Sequence, residues 1–312
     1  MKLLFISTEP YSKRDDTWQE AMLNEFPGAE FVFWAEQTTN LSDFDYAITW
    51  KPPVGVLKKC SSLKAILSIA AGVDSVLADP DLPDVPIVRL IDRNLTQGMT
   101  EFVLHWILHF HRDFDRCMEW QKQRHWGYLP QCCPEDRKVG IMGLGELGGA
   151  AAMHLAQLNF DVAGWSRSRK KIPQVKSFAG TEELIPFLNR TEFLVCLLPL
   201  TQETRNIVRK ETILQLPKGG VFINAGRGSH MNPTDVLNAL DSGHLRAVVL
   251  DVFPQEPLQQ DSSFWTHPKV IVTPHTASQT TPESAAKFLA KNIRLIEKGE
   301  SPTHVLNKKR EY

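Results

Sequence analysis

The sequence has no excess of charge, no long apolar run and no regular cysteine spacing, and each absence removes a class of function. Lys and Arg total 35 against 36 for Asp and Glu, a formal net charge of −1. No global field draws such a chain to nucleic acid or to an anionic membrane, so any anion site must be local. The opening MKLLFISTEPYSKRDD has an apolar run too short for a signal peptide and turns polar at once. No later stretch approaches the ~20 apolar residues that cross a bilayer. A cytoplasmic location without membrane or nucleic-acid partners is the expectation. The five cysteines (Cys60, Cys117, Cys132, Cys133 and Cys196) are odd in number and form no C-x-x-C pair. They read as reduced thiols rather than a disulfide framework or a zinc site. Internal repeats and low-complexity linkers are also missing.

What is present is alternation. At 312 residues and 42% hydrophobic composition, the chain is long enough for two cores. Short β-rich runs (LLFIS from Leu3, FVFW from Phe31, YAITW from Tyr46, KAILSI from Lys64, IVRL from Ile87) are separated by loop or helical segments. A helix is predicted over Thr100 to Lys122, after a break at Gly98, with apolar residues three and four apart. A second series follows: KVGIMG, FDVAGW, EFLVCLL, GVFINA, AVVLDV and VIVTP, then a last helix near Pro282 to Gly299. The pattern predicts an α/β protein of two domains. Residues 99–280 would form a Rossmann-type doubly wound parallel sheet. Residues 1–98 and 281–312 would form a smaller flavodoxin-like α/β domain for the substrate.

Between the first strand and helix of the second series stands GLGELG, in which Gly143, Gly145 and Gly148 make G-x-G-x-x-G. The first glycine permits a tight turn, the second lets backbone approach a pyrophosphate, and the third lets helix pack on strand. Glu146 and Leu147 lie within this loop. About 20 positions on, where a NAD site carries an acid for the ribose hydroxyls, the sequence has Ser166, Arg167, Ser168 and Arg169. Asp161 lies at the wrong end of that strand. Guanidinium groups and hydroxyls suit a 2′-phosphate, so the run reads as an NADPH clamp with NADH a weaker substitute; a solvated basic loop is the other reading. Leu198, Pro199 and Thr204 after the third strand, and Ala225 after the fourth, are further candidate nucleotide contacts.

Chemistry-bearing residues also fall just beyond strand ends, where ligands meet open α/β sheets: Arg227 in NAGRGS, Asp251 and Glu256 in LDVFPQEP, and His275 in TPHTAS. Arg can fix a carboxylate by its fork of donors, and a His hydrogen-bonded to Glu can deliver a proton. Asp251 reads either as a group beside a nicotinamide or as a strand-end turn acid. In the first series Gly72, with Ala71 and Val73, could offer backbone N–H groups to an anion, or be an ordinary turn. Trp50 could wall a pocket or be a buried aromatic. His105, His109 and His111 share no carboxylate at ligand spacing, and no metal is expected.

With GLGELG, NAGRG, LDVFPQEP and TPHTA in this order, and AAGVDS (Ala70 to Ser75) near the start, the chain resembles the D-isomer-specific 2-hydroxyacid dehydrogenase family along nearly its whole length. The likeness is greatest to members that reduce glyoxylate and hydroxypyruvate. It implies a homodimer acting on a small 2-oxo acid, with Arg227, Glu256 and His275 catalytic, Asp251 near the nicotinamide, and Trp50, Ala71, Gly72, Val73, Arg227 and His275 toward substrate. The missing acid after the second cofactor strand departs from the family's usual pattern and favours NADPH. Two other functions are open at this point: reduction of another 2-oxo acid, such as pyruvate or a phosphorylated acid, and dinucleotide sensing without turnover.

Overall fold

The computed structural model describes residues 1–8 and 16–307. In chain order the elements are β1 (Lys2–Ser7), α1 (Asp16–Glu25), β2 (Glu30–Phe33), β3 (Tyr46–Trp50), β4 (Ala65–Ser68), α2 (Asp74–Leu77), β5 (Ile87–Val88), α3 (Arg93–His111) and α4 (Phe114–Gln123). Then come β6 (Lys138–Met142), α5 (Glu146–Gln157), β7 (Asp161–Ser166), β8 (Lys176–Ala179), α6 (Leu184–Asn189), β9 (Phe193–Cys196) and α7 (Lys210–Ile213). The remainder is β10 (Gly220–Asn224), α8 (Pro233–Asp241), β11 (Leu245–Leu250), β12 (Val270–Val272) and α9 (Pro282–Glu297). The chain divides into two compact units, Met1–Leu95 with Gln279–Tyr312, and Thr96–Ser278. The last five residues of the expected first domain, 308–312, lie outside the described residues. Among the described residues no helix is long and apolar enough to cross a membrane.

The first unit holds a parallel sheet ordered β2-β1-β3-β4-β5, the flavodoxin-like order 2-1-3-4-5. Its strands are apolar on both sides because both faces are covered. Leu3 and Phe5 join one core with Tyr46, Ile48 and α9, while Leu4 and Ile6 join the other with Ala47 and Ile66. Helix α9 reaches that core through Ala285, Ala286, Leu289 and Ile293, a spacing that aligns apolar side chains on one helix face. Thr281 caps it by accepting the Ser284 amide, with Pro282 in its first turn, where a missing N–H costs nothing.

The second unit holds a seven-stranded parallel sheet ordered β12-β11-β10-β9-β6-β7-β8. Numbered within the unit this is 3-2-1-4-5-6 with one strand added, the doubly wound dinucleotide topology, whose direction reverses between β6 and β9. Side chains alternate between two cores with the strand period of two. Val139, Ile141, Val221 and Ile223 face α3 and α5; Met142, Trp165, Phe222 and Val248 face α6 and α8.

Two features differ from the sequence reading. The helix predicted from Thr100 to Lys122 is two helices, and it starts before Gly98 rather than after it. Gly98 is a packing residue, since a Cβ there would lie 2.8 Å from Ser278 Oγ. The break comes at Asp113, in the left-handed region at φ 55°, where Asp is better tolerated than most residues. Its carboxylate accepts from Arg246 Nη2 at 2.7 Å, and Asp115 accepts from Arg246 Nε at 2.9 Å. A tertiary ion cluster thus interrupts a locally helical sequence. Strand β8 was not legible at all: it is four half-exposed residues, KSFA, paired only to β7 at the sheet edge.

Candidate active site and cofactor loop

The site is built at the carboxyl ends of the second unit's strands. Gly143 follows β6 with φ +101°, and a Cβ on it would stand 2.6 Å from the Leu197 carbonyl oxygen beyond β9. Both φ and space therefore demand glycine. At Gly148 a Cβ would meet the Gly143 carbonyl oxygen at 1.8 Å, so α5 can sit this close to the turn only without a side chain. Gly145 differs: a Cβ there would meet no protein atom within 4 Å. Its lack of a side chain answers to nothing inside the chain, which suits close approach by a dinucleotide pyrophosphate. Gly145 is also the N-cap of α5 and supplies no side-chain cap, so the first-turn amides keep their donors for an anion. Glu146 and Leu147 form that first turn. These residues fit the cofactor the spacing implies.

The basic run leaves the end of β7. Ser166 is buried and its hydroxyl donates to the Ser168 carbonyl at 2.9 Å. Arg169 is tied down: Nη1 donates to the Ser177 carbonyl on β8, and Nη2 contacts Glu183 Oε1 at 2.5 Å and Oε2 at 2.7 Å. The Ala179 amide and the Arg169 guanidinium hold the Glu183 carboxyl below its usual value. Asp161, at the other end of β7, is bound to Arg190 at 2.5 Å and Lys176 at 3.1 Å. Burial would raise its carboxyl, but these two cations outweigh that and lower it. Asp161 is thus a structural acid of the strand's amino end.

Beyond β9, Leu198 is buried in the core. The Thr204 hydroxyl donates to the Pro199 carbonyl at 2.7 Å and accepts from the Thr201 amide at 2.8 Å, so it closes its own loop. Ala225 likewise turns its side chain into the core, leaving only main chain for a nucleotide. Asn224 then shapes the next turn, donating to the Arg227 carbonyl at 3.0 Å and accepting from the Gly226 amide at 3.2 Å. The Arg227 amide donates to His230 Nδ1 at 3.0 Å, and His230 Nε2 lies 3.2 Å from the Pro199 carbonyl. With Nδ1 accepting, the proton sits on Nε2 and is donated to Pro199. Fully buried His230 so joins the loops after β9 and β10. Sequence reasoning passed over it, although a His three residues beyond the Arg of a tight glycine turn is a recognisable pattern. Gly228 completes the turn, for its Cβ would fall 1.8 Å from the Phe253 carbonyl carbon. The Arg227 turn therefore lies directly against the loop that carries Glu256.

In that loop the Phe253 amide donates to Glu256 Oε1 at 3.1 Å, and Glu256 Oε2 pairs with His275 Nδ1 at 2.8 Å. The two side chains are 25% and 33% exposed, protected yet reachable. Nδ1 is engaged by the carboxylate, which fixes the ring and leaves Nε2 as the nitrogen that could meet a ligand. Asp251, buried at the end of β11, accepts at Oδ1 from Thr273 Oγ1 (2.6 Å), the Thr276 amide (2.8 Å) and the Ala277 amide (3.0 Å). Its carbonyl takes the His275 amide at 2.9 Å. Asp251 is the anchor of the turn that presents His275.

The remaining candidates lie in the first unit. Trp50 ends β3 half-buried against the Phe5 and Tyr46 core. Ala71, Gly72 and Val73 link β4 to α2, and the Val73 side chain is buried in the opposite core, leaving its main chain as the group it can offer. Among the described residues no group of three or more His, Cys, Asp or Glu could hold a metal ion.

Known proteins share this chain's fold and much of its sequence. The D-isomer specific 2-hydroxyacid dehydrogenase NAD-binding domain matches residues 104–277. Glyoxylate/hydroxypyruvate reductase A of Salmonella paratyphi B is 41% identical over 301 residues, 95% of this chain and 96% of that one. A D-isomer specific 2-hydroxyacid dehydrogenase from Xanthobacter autotrophicus, solved with NADPH, superposes with a TM-score of 0.95 at 38% identity, covering 100% and 99% of the two chains. An NADPH-dependent glyoxylate/hydroxypyruvate reductase from Sinorhizobium meliloti, solved with NADP and sulfate, gives 0.93 at 38% identity with the same coverage. A matched family domain, near-complete relatives and a shared two-sheet fold place the chain in the D-isomer specific 2-hydroxyacid dehydrogenase family.

Proposed function

We propose that the protein reduces small 2-oxo acids, glyoxylate and hydroxypyruvate foremost, with NADPH. The observation that carries this reading is the 2.8 Å His275–Glu256 pair on a loop packed against the Arg227 turn, in a chain about two-fifths identical to reductases of that name. The cofactor, when bound at the glycine loop, supplies the hydride. Arg227 holds the substrate carboxylate and carbonyl oxygen, orienting the ketone and stabilising charge as it develops on oxygen. His275 gives its Nε2 proton to that oxygen while its Nδ1–H stays hydrogen-bonded to Glu256, which holds the ring in place through the transfer. Asp251 keeps the His275 turn in place and can also lie near the nicotinamide. Ser166, Arg167, Ser168 and Arg169 meet the 2′-phosphate, so NADH is the weaker donor.

The first unit, Met1–Leu95 with Gln279–Tyr312, serves as the substrate domain, and Trp50 and the Ala71, Gly72 and Val73 main chain are the groups it can offer the acid. The second unit, Thr96–Ser278, binds the cofactor. A homodimer in the cytoplasm completes the reading. NADPH oxidation measured over a panel of 2-oxo acids, with NADH in parallel, tests it. Glyoxylate and hydroxypyruvate should lead in kcat/KM, ahead of pyruvate and phosphorylated acids. Tight NADPH binding without turnover of any acid would instead favour a dinucleotide sensor.

A further inference from the structure

We propose that Glu183 is a positioning residue of the 2′-phosphate subsite, acting through Arg169 and setting the preference for NADPH over NADH. This rests on the cofactor reading above. Arg169 leaves the end of β7 on a loop, with its side chain 58% exposed. An arginine so placed would sample many rotamers, and fixing it at the moment of binding would weaken affinity by the entropy lost. Instead it is held beforehand. Nη2 contacts both oxygens of Glu183, at 2.5 and 2.7 Å, and Nη1 donates to the Ser177 carbonyl.

Glu183 is itself fixed, since its Oε2 accepts the Ala179 amide at 2.6 Å. The loop is stapled once more where the Lys170 amide donates to Ser177 Oγ at 2.9 Å. The edge strand β8 and residue 183 thus form a frame around one guanidinium. A guanidinium has five N–H donors, so bonds made from Nη1 and Nη2 leave donors for a phosphate. Glu183 also has an opposing effect, because its negative charge stands near the cation that meets a dianion. Salt screens this repulsion and the Arg169–Glu183 ion pair alike, but the pair is short and two-pronged, at 2.5 and 2.7 Å, and such charge-assisted geometry is the stronger kind, so positioning prevails.

The test is dissociation constants for NADPH and NADH, read from nicotinamide fluorescence, in the wild type, Glu183→Gln, Glu183→Asp, Arg167→Ala, Arg169→Ala and the Arg169→Ala/Glu183→Gln pair. Gln keeps an acceptor for the Ala179 amide; Asp keeps the charge but not the reach. Both should weaken NADPH about five-fold and leave NADH unchanged, and Glu183→Gln should add nothing once Arg169 is alanine. Tighter NADPH binding by Glu183→Gln would mean that Glu183 withholds Arg169, and equal losses for both cofactors would mean a merely structural role. Either result overturns the proposal. If Arg167→Ala and Arg169→Ala leave the NADPH/NADH ratio untouched, the 2′-phosphate reading itself fails. If they collapse the ratio while both Glu183 variants preserve it, only the positioning role fails.

Discussion

His275 sits at φ 54°, in the left-handed region, a conformation that costs a non-glycine residue about 1–3 kcal/mol and persists only where its surroundings over-determine it. Here they do. Asp251 takes the His275 amide on its carbonyl and three donors of the same turn on one carboxylate oxygen. The imidazole is thereby aimed by backbone, then held by Glu256 at Nδ1. Replacing His275 with Ala removes the proposed proton donor while leaving the glycine loop alone. The expected outcome is a kcat lowered about 10²–10⁴-fold with NADPH affinity unchanged. Steady-state kinetics with glyoxylate, paired with cofactor titration, checks it; near-native turnover would remove the acid role.

At the level of elements, the start of α5 shows why substitution tables mislead. Gly148→Ala within a helix should gain about 1 kcal/mol in propensity. The new Cβ, however, would be placed 1.8 Å from the Gly143 carbonyl oxygen. That neighbour is backbone and cannot rotate away, so α5 must shift off the turn at an overpacking cost of about 1–3 kcal/mol. The balance is destabilising. Gly148→Ala should lower the melting temperature and weaken NADPH and NADH alike, in contrast to the cofactor-selective Glu183 variants. A thermal melt no lower than the wild type's would show that the turn yields more readily than this contact implies.

On the scale of the molecule, the first unit is assembled from both ends of the chain, with Thr96–Ser278 inserted between them. Helix α9 closes it through its core face and through Glu297, which accepts the Tyr46 hydroxyl at 2.6 Å and Lys64 Nζ at 2.8 Å. The Lys64 and Tyr46 hydrogen bonds hold the Glu297 carboxyl below its ordinary value of 4.5. A carboxyl lowered on folding stabilises the native state above its unfolded value, and that stabilisation is lost as pH falls through the folded value. Glu297→Gln should therefore melt below the wild type at neutral pH, with the gap closing as pH drops beneath 4.5. Melting curves across that range test it, and a gap independent of pH would show that the carboxylate charge plays no part. Both groups are partly exposed, so high salt should shrink the difference as well.

Most of the architecture was written in contiguous residues. YAITW, KVGIM and GVFIN appear as β3, β6 and β10, because a strand buried on both faces must be apolar along its length. Gly143, Gly145 and Gly148 announce their turn by spacing, and the positive φ of Gly143 and the Gly148 contact with Gly143 are local. Arg227, Glu256 and His275 stand out because each follows a strand end, where side chains of an open sheet can meet a ligand. Folding alone decided the partners. Arg169 is matched to Glu183 across a strand too short and too exposed to carry a pattern. Asp113 and Asp115 break a periodic helix for Arg246, more than a hundred residues away. Asp251 anchors the His275 turn with a carboxylate whose nearest donors come from the next strand's end. Periodicity and turn sterics act between neighbours in sequence, whereas an ion pair or a buried hydrogen bond depends on which distant segments packing brings within about 3 Å.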